Sequence, residues 1–182
     1  FDLETTGFSA KSDKIIEIGA VKVENGKIID RFSTFVNPEI PIPFRIEKLT
    51  SINDEMVIDA PKIEEILPKF MEFCKDSVMV AHNSDFDMSF IEANCKRQDL
   101  ECDFTVIDTV AMSRYLIIGL GRYKLDNVAK ALGIVLDHHH RAVDDAECTA
   151  LIFLKLCKML EGKGIDNLDE LNRQGKQSKN LI

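Results

Sequence analysis

Two runs rich in β-branched residues, 14–23 (KIIEIGAVKV) and 28–38 (IIDRFSTFVNP), are joined through Asn25-Gly26. An Asn-Gly pair accepts positive φ at both central positions of a two-residue turn, so it closes an antiparallel hairpin whose twist matches its strands. The rest of the chain must be laid on that hairpin. Ahead of it, Phe1, Asp2, Leu3 and Glu4 alternate with a period of two, which puts Phe1 and Leu3 on one face of a strand and both carboxylates on the other. The chain thus begins inside a strand and reads as a trimmed piece of a longer protein.

Past the hairpin the period changes. Residues 37–60 carry Pro38, Pro41 and Pro43 and predict a connector with at most short helices. After Pro61, the residues Ile63, Ile66, Leu67, Phe70 and Phe73 have helical spacing, with a kink expected at Pro68. Residues 78–81 predict a short buried strand, 86–97 a helix with Phe86, Phe90 and Ile91 on one face, 105–107 a further strand and 109–117 a helix. Leu125, Val128, Ala129 and Leu132 predict another helix, closed by Gly133. In the longest helix Ala146, Ala150, Phe153, Cys157 and Leu160 make a core-facing stripe, and Asp144 and Asp145 open it where the helix dipole favours negative charge. Asp166 is expected to cap a short last helix, followed by a basic tail with Arg173, Lys176 and Lys179. A hairpin followed by alternating helices and strands defines an α/β fold, with a mixed central β-sheet and flanking helices. The expected division is one domain over 1–163, then a short helix and linker tail over 164–182.

Several function classes fall away. No apolar run reaches 18 residues, which excludes a membrane-spanning helix, and the first residues lack the basic and apolar regions of a secretory signal, so the cytoplasm is the expected location. The formal net charge of −8 argues against a simple basic-patch binder of phosphate backbones. Carboxylates gathered around divalent cations can still make a locally positive site, so hydrolysis of a polyanion stays open. The five cysteines include no CxxC pair, so neither a disulfide framework nor a zinc knuckle is expected, and Cys148 and Cys157 read as small buried hydrophobes.

Three segments can carry chemistry. Asp2 and Glu4, on one strand face, offer oxygen ligands to hard cations, and Thr5, Thr6 and Gly7 follow as a small-residue turn that a ligand can approach closely. Alone, the pair could equally be acids on a solvated strand face. The second segment, His82-Asn83-Ser84-Asp85-Phe86-Asp87, follows the short strand where a helix begins, a usual place for a site in α/β sheets. There Asp85 reads as the N-cap, Asp87 as a ligand or a partner of the helix dipole, and His82 and Asn83 as residues able to tie the loop together. The third is His138-His139-His140-Arg141-Ala142-Val143-Asp144-Asp145. Three consecutive histidines cannot all face one ion, but His140 suits a general base, with an ordinary pKa of about 6.5. A solvated histidine-rich loop is the plainer alternative, and His138 and His139 read as bystanders.

Taken together and in this order, FDLETTG, HNSDFD and the spacing His140-x-Ala142-x-x-Asp145 resemble the three motifs of the DnaQ-like DEDDh family of 3′-to-5′ exonucleases. The likeness runs from Phe1 to about Leu160. Asp108-Thr109 and residues 125–129 (LDNVA) are similar to supporting elements of that family, whereas Ser51 stands where its members often carry glycine. Within it, LTSINDEMV and HHHRAVDDAECTA look like the proofreading domains embedded in PolC-type replicative DNA polymerases. The resemblance implies an RNase H-like fold in which Asp2, Glu4, Asp87 and Asp145 hold two divalent ions, Mg²⁺ or Mn²⁺, about 3.5 to 4 Å apart. It also implies that neutral His140 takes the proton of the attacking water and that nucleoside 5′-monophosphates are released. Thr5, Thr6 and Gly7 would contact the terminal nucleotide, and Phe86 would stack on a base, a core role for Phe86 being equally open. The implied partners are single-stranded or frayed 3′ ends of DNA, with the remaining segments of a parent polymerase and its replication machinery. Two rivals stay open. One is the same chemistry on RNA, because a 2′-hydroxyl contact lies outside the motifs; the other is a non-catalytic nucleic-acid or partner-binding domain on the same fold.

Overall fold

The structure, a computed structural model, describes residues 1–135 and 141–162. Its elements run β1 (Asp2–Thr5), β2 (Ile15–Glu24), β3 (Lys27–Phe35), α1 (Phe44–Thr50), α2 (Asp54–Val57), α3 (Ile63–Cys74), β4 (Met79–Ala81), α4 (Ser84–Arg97), β5 (Val106–Asp108), α5 (Thr109–Leu116), α6 (Leu125–Ala131) and α7 (Ala142–Glu161). The hairpin forms as its turn demands: Glu24 pairs with Lys27 across Asn25 and Gly26, whose φ angles are 50° and 75°. β1 joins β2 antiparallel to give the order β1-β2-β3, and β4 pairs with β5 in parallel. The Phe1 nitrogen donates to the Val80 carbonyl at 2.7 Å, which brings β1 against β4. The mixed sheet expected from sequence is therefore two ladders meeting where β1 meets β4.

Residues 15–20 of β2 are all buried because both faces of the strand are covered. On one face, Ile18 and Ala20 pack with Leu67 and Phe70 of α3 and Phe90 and Ile91 of α4. Leu67 and Phe70 are both 0% exposed, and each contributes about 1.5–3 kcal/mol of transfer free energy. On the other face, Glu17 and Gly19 lie under the start of α7. α7 also packs against β5, α5 and α6 through Ile107, Met112, Val128, Ile152 and Leu156. Its most buried line therefore runs through Thr149, Ile152, Leu156 and Leu160 beside Ala146 and Ala150, while Phe153 and Cys157, placed on the stripe by sequence, are half-buried. All five cysteines are free thiols.

The connector after β3 holds only the short helices α1 and α2, and Pro68 lies inside α3 without ending it. α4 begins two residues before its expected start. Asn83 takes the left-handed region (φ 72°) and is the N-cap, which corrects the assignment of that role to Asp85, a first-turn residue. β5 runs one residue further than expected and takes in Asp108, whose side chain caps α5 by accepting from Val110 N at 2.9 Å. The expected Asp166 cap and the boundary and tail over 164–182 lie outside the described residues. Among the described residues no helix is long and apolar enough to cross a membrane.

Ser51, which departs from the glycine common in the resembled family, is the C-cap of α1 at φ 59°. A left-handed L-residue costs about 1–2 kcal/mol, part of which glycine returns through a freer unfolded chain. Ser51→Gly is thus expected to stabilise the protein by about 0.5–1 kcal/mol, read from a chemical denaturation midpoint. A lower midpoint would show that the Ser51 side chain makes up for its backbone.

Candidate active site

Strand register assembles the site. β1 pairs with β2 so that Asp2 lies opposite Gly19 and Glu4 opposite Glu17. Opposed residues of an antiparallel pair share a face, so both β1 carboxylates point to the side that α7 covers. Phe1 and Leu3 face the core at 7% and 4% exposure, as the alternation predicts. α7 then brings Asp145 to them: Asp2, Glu4 and Asp145, all half-buried, place carboxylate oxygens within 4.8 Å of one another. Asp87 is not part of that three-residue group. It is buried in the first turn of α4, and its Oδ1 accepts from Leu3 N at 3.1 Å, so one of its oxygens ties α4 to the strand between Asp2 and Glu4. His138, His139 and His140 lie outside the described residues.

The electrostatics are those of acidic groups crowded together and partly shielded from water. Burial, reinforced by Asp87, Glu4 and Asp145, pushes Asp2 well above the usual carboxylate range. Burial first and Asp145 second raise Glu4 to about 8, and burial raises Asp87 to about 7. Oxygen donors so close, costly to ionise without a counter-charge, match what a hard divalent cation requires. Each carboxylate is raised in the folded state, so its stabilising contribution is present below its unfolded pKa and is lost as pH rises through the folded value. The buried Phe1 amine, lowered from its ordinary value, opposes this with one proton against three. His82, also lowered by burial, destabilises only as pH falls below its ordinary value of 6.5. Between pH 6.5 and 8.5 in EDTA the protein is expected to lose a few kcal/mol, about 5–10 °C in Tm, and Mn²⁺ is expected to remove most of that loss. An EDTA melting temperature that climbs across this window would refute the assignment.

The loops around the carboxylates are rigidly tied. His82 Nε2 faces the Tyr123 carbonyl at 2.9 Å and so carries the proton, leaving Nδ1 to accept from the Thr109 hydroxyl at 2.8 Å. Asp108 Oδ1 takes the amides of both Asn83 and Val110 at 2.9 Å. This is the tying role that sequence allowed for His82 and Asn83. The Thr5 hydroxyl donates to the Gly7 carbonyl (2.7 Å), and Thr6 Oγ1 accepts from Lys14 N (2.9 Å), so both side chains are engaged inside the turn. A Cβ on Gly7 would lie 2.5 Å from the Asp13 carboxylate and would push that side chain off the Ser9 amide it accepts from. Phe86 is half-buried, its ring 5.2 Å from that of Phe90 and 6.4 Å from that of Phe8.

Sequence reasoning missed several residues. Phe8 is 71% exposed at the lip of the turn, a position for which an aromatic directly after Thr-Thr-Gly was the available signal. Arg114, Arg122 and Lys124 line a cleft of about 750 Å³ together with His82 and Asn83. They gather positive charge in one cleft of a chain of net charge −8, and the whole-chain count hid them. Glu17, fully buried, accepts from Arg141 and from the amide of Ala142. Its signal was one acid inside an otherwise apolar run.

The carboxylates of β1 and α7, with Asp87 of α4 behind them, lie on a fold shared with exonucleases, and the chain belongs to the exonuclease family: the family model for the RNase T type matches residues 1–153. It is 54% identical over 172 residues to the PolC-type DNA polymerase III of Caldanaerobacter subterraneus subsp. tengcongensis, a match covering 94% of this chain and 12% of that protein. It is 53% identical over 175 residues to the PolC-type enzyme of Clostridium perfringens, covering 96% and 12%. The chain thus spans about an eighth of the length of these relatives. Among solved structures, Exonuclease X in complex with 5′-overhanging duplex DNA superposes with a TM-score of 0.73 at 28% identity, covering 96% of both chains. The nuclease domain of 3′hExo, a DEDDh family member bound to rAMP, gives 0.74 at 22%, covering 86% of this chain and 89% of that one. The family resemblance read from the three motifs, and the fold it implied, are borne out.

Proposed function

We propose that the chain is the proofreading 3′-to-5′ exonuclease module of a PolC-type DNA polymerase III, which removes nucleoside 5′-monophosphates from single-stranded or frayed DNA 3′ ends. The observation that carries this reading is the convergence of Asp2, Glu4 and Asp145, with Asp87 locked behind them, in a chain about half identical to PolC-type polymerases. Two divalent cations, Mg²⁺ or Mn²⁺, held by these four carboxylates would supply an activated water and neutralise charge on the leaving 3′ oxygen. His140 acts as the neutral base that takes the water's proton. Arg114, Arg122 and Lys124 give the strand's phosphates a basic track, and exposed Phe8 with Phe86 offers rings on which terminal bases stack. The backbone of Thr5, Thr6 and Gly7 borders the terminal nucleotide. The remaining segments of the polymerase adjoin this module, in which the exonuclease domain takes residues 1–163 and a short helix and linker tail take 164–182.

The test is degradation of 5′-labelled single-stranded DNA and RNA of one sequence with Mn²⁺, Mg²⁺ or EDTA, for wild type and His140→Ala. Stepwise shortening of DNA from its 3′ end, abolished by EDTA and lowered about 10² to 10⁴-fold in the variant, is expected. Preference for RNA would reassign the substrate. No cleavage of either strand by a protein that binds Mn²⁺ would leave a binding module.

A further inference from the structure

Glu17 is a charged side chain at 0% exposure inside β2, between the apolar Ile16 and Ile18. Burying a carboxylate is costly, and its arginine partner keeps 42% of its side chain exposed, so a wish for stability alone would place another aliphatic residue here. What the carboxylate adds is direction. Glu17 Oε1 accepts from Arg141 Nε (3.0 Å) and Nη2 (2.8 Å), and Oε2 accepts from the amide of Ala142 (3.1 Å), the first residue of α7. The guanidinium also lies over the Phe35 ring, 4.9 Å from its centroid. Gly19, one strand repeat further, leaves room for the backbone of Ala142 and Val143 to rest on the sheet. The Arg141 carbonyl in turn accepts from Asp145 N at 3.0 Å. An unbroken set of bonds therefore runs from Glu17 through Arg141 to Asp145, and Glu17 is the cross-strand partner of Glu4.

We propose that Glu17 is a positioning residue for hydrolysis, which acts through Arg141 and the start of α7 to fix Asp145 against Asp2 and Glu4. The inference rests on the exonuclease reading above. Glu17 sits beneath the site, and its carboxylate is spent on Arg141 and Ala142, so its effect is on geometry.

The test uses the 182-residue chain, a 5′-labelled single-stranded DNA oligonucleotide and Mn²⁺, with Glu17→Gln as the near-isosteric variant. An amide retains one acceptor for Arg141 but offers an N–H where the Ala142 amide needs an oxygen. The expected result is a kcat lowered about 10- to 100-fold per folded molecule, with Mn²⁺ affinity measured without DNA lowered in parallel. KM for the strand should stay within about threefold, because the cleft and the aromatic lip are untouched. A wild-type kcat per folded molecule would overturn the proposal, as would a loss that only follows the folded fraction. Should Glu17→Gln fail to fold, Arg141→Lys decides: it keeps the charge but loses the two-nitrogen fork, and it is expected to show the same kcat-limited defect, with normal turnover counting against the clasp. An inactive wild type would overturn the exonuclease reading and this inference with it, whereas an active wild type with unaffected variants overturns the inference alone.

Discussion

Replacing Asp2 with asparagine is expected to lower turnover by about 10³-fold or more and at the same time to stabilise the cation-free protein. The first effect follows from geometry. Asp2 is one of three carboxylates whose oxygens come within 4.8 Å of one another, and losing an anionic ligand to a hard cation forfeits several kcal/mol of charge stabilisation in the transition state. The second follows from its raised pKa: burial first, then Asp87, Glu4 and Asp145, disfavour the Asp2 carboxylate, so its charge is a liability unless a cation is bound. Removing that charge is expected to raise stability in EDTA by about 1–3 kcal/mol, roughly 3–10 °C in Tm. Three measurements check it: steady-state hydrolysis of single-stranded DNA, calorimetric titration with Mn²⁺, and melting in EDTA. Opposite signs for activity and stability identify a site strained for function. An Asp2→Asn protein with wild-type turnover and Mn²⁺ affinity would remove Asp2 from the ligand set, and one that melts lower in EDTA would show that the carboxylate is structurally satisfied.

What the sequence made legible was whatever its local periodicity encodes. The Asn25-Gly26 hairpin, the alternation that turns Asp2 and Glu4 away from the core, and the acids at the start of α7 all follow from rules that act over a few residues. The grouping of Asp2, Glu4 and Asp145 came from a resemblance, since spacing along the chain does not say which strand face meets which helix end. Contacts that only folding creates stayed hidden. Glu17 and Arg141 are 124 residues apart, and neither announces the other. The basic cleft joins Arg114 of α5 to Arg122 and Lys124 of the following loop, and the net charge conceals it. Asp85 looked like a cap because aspartate is common there, but the left-handed Asn83, held by Asp108 from another strand end, started the helix two residues earlier. A tertiary hydrogen bond overrode a local preference.

Gly19→Ala is the second substitution with a large expected effect, and its cause is space. Gly19 is in a β-strand with no positive φ, so its backbone would tolerate any residue. A Cβ built there, however, meets the Ala142 carbonyl carbon and the Val143 amide nitrogen at 2.1 Å, and both are main-chain atoms of a helix start that cannot rotate away. Reaching ordinary contact requires α7 to lift from β2 by more than about 1 Å, against the Glu17 bonds to Arg141 and Ala142 that hold it down. Overpacking of this kind costs about 1–3 kcal/mol. Gly19 lies opposite Asp2, so the lift also moves Asp145 away from its partners, and a misplacement of about 1 Å is worth about 10²-fold in rate. The variant is expected to fold, to melt roughly 3–10 °C lower, and to lose about 10²-fold or more in turnover, with weakened Mn²⁺ binding. Circular dichroism melting and single-strand hydrolysis read both effects. A Gly19→Ala protein with full activity would mean that α7 can settle at a second height on the sheet without disturbing the carboxylates, and the close approach of helix to strand would then be packing alone.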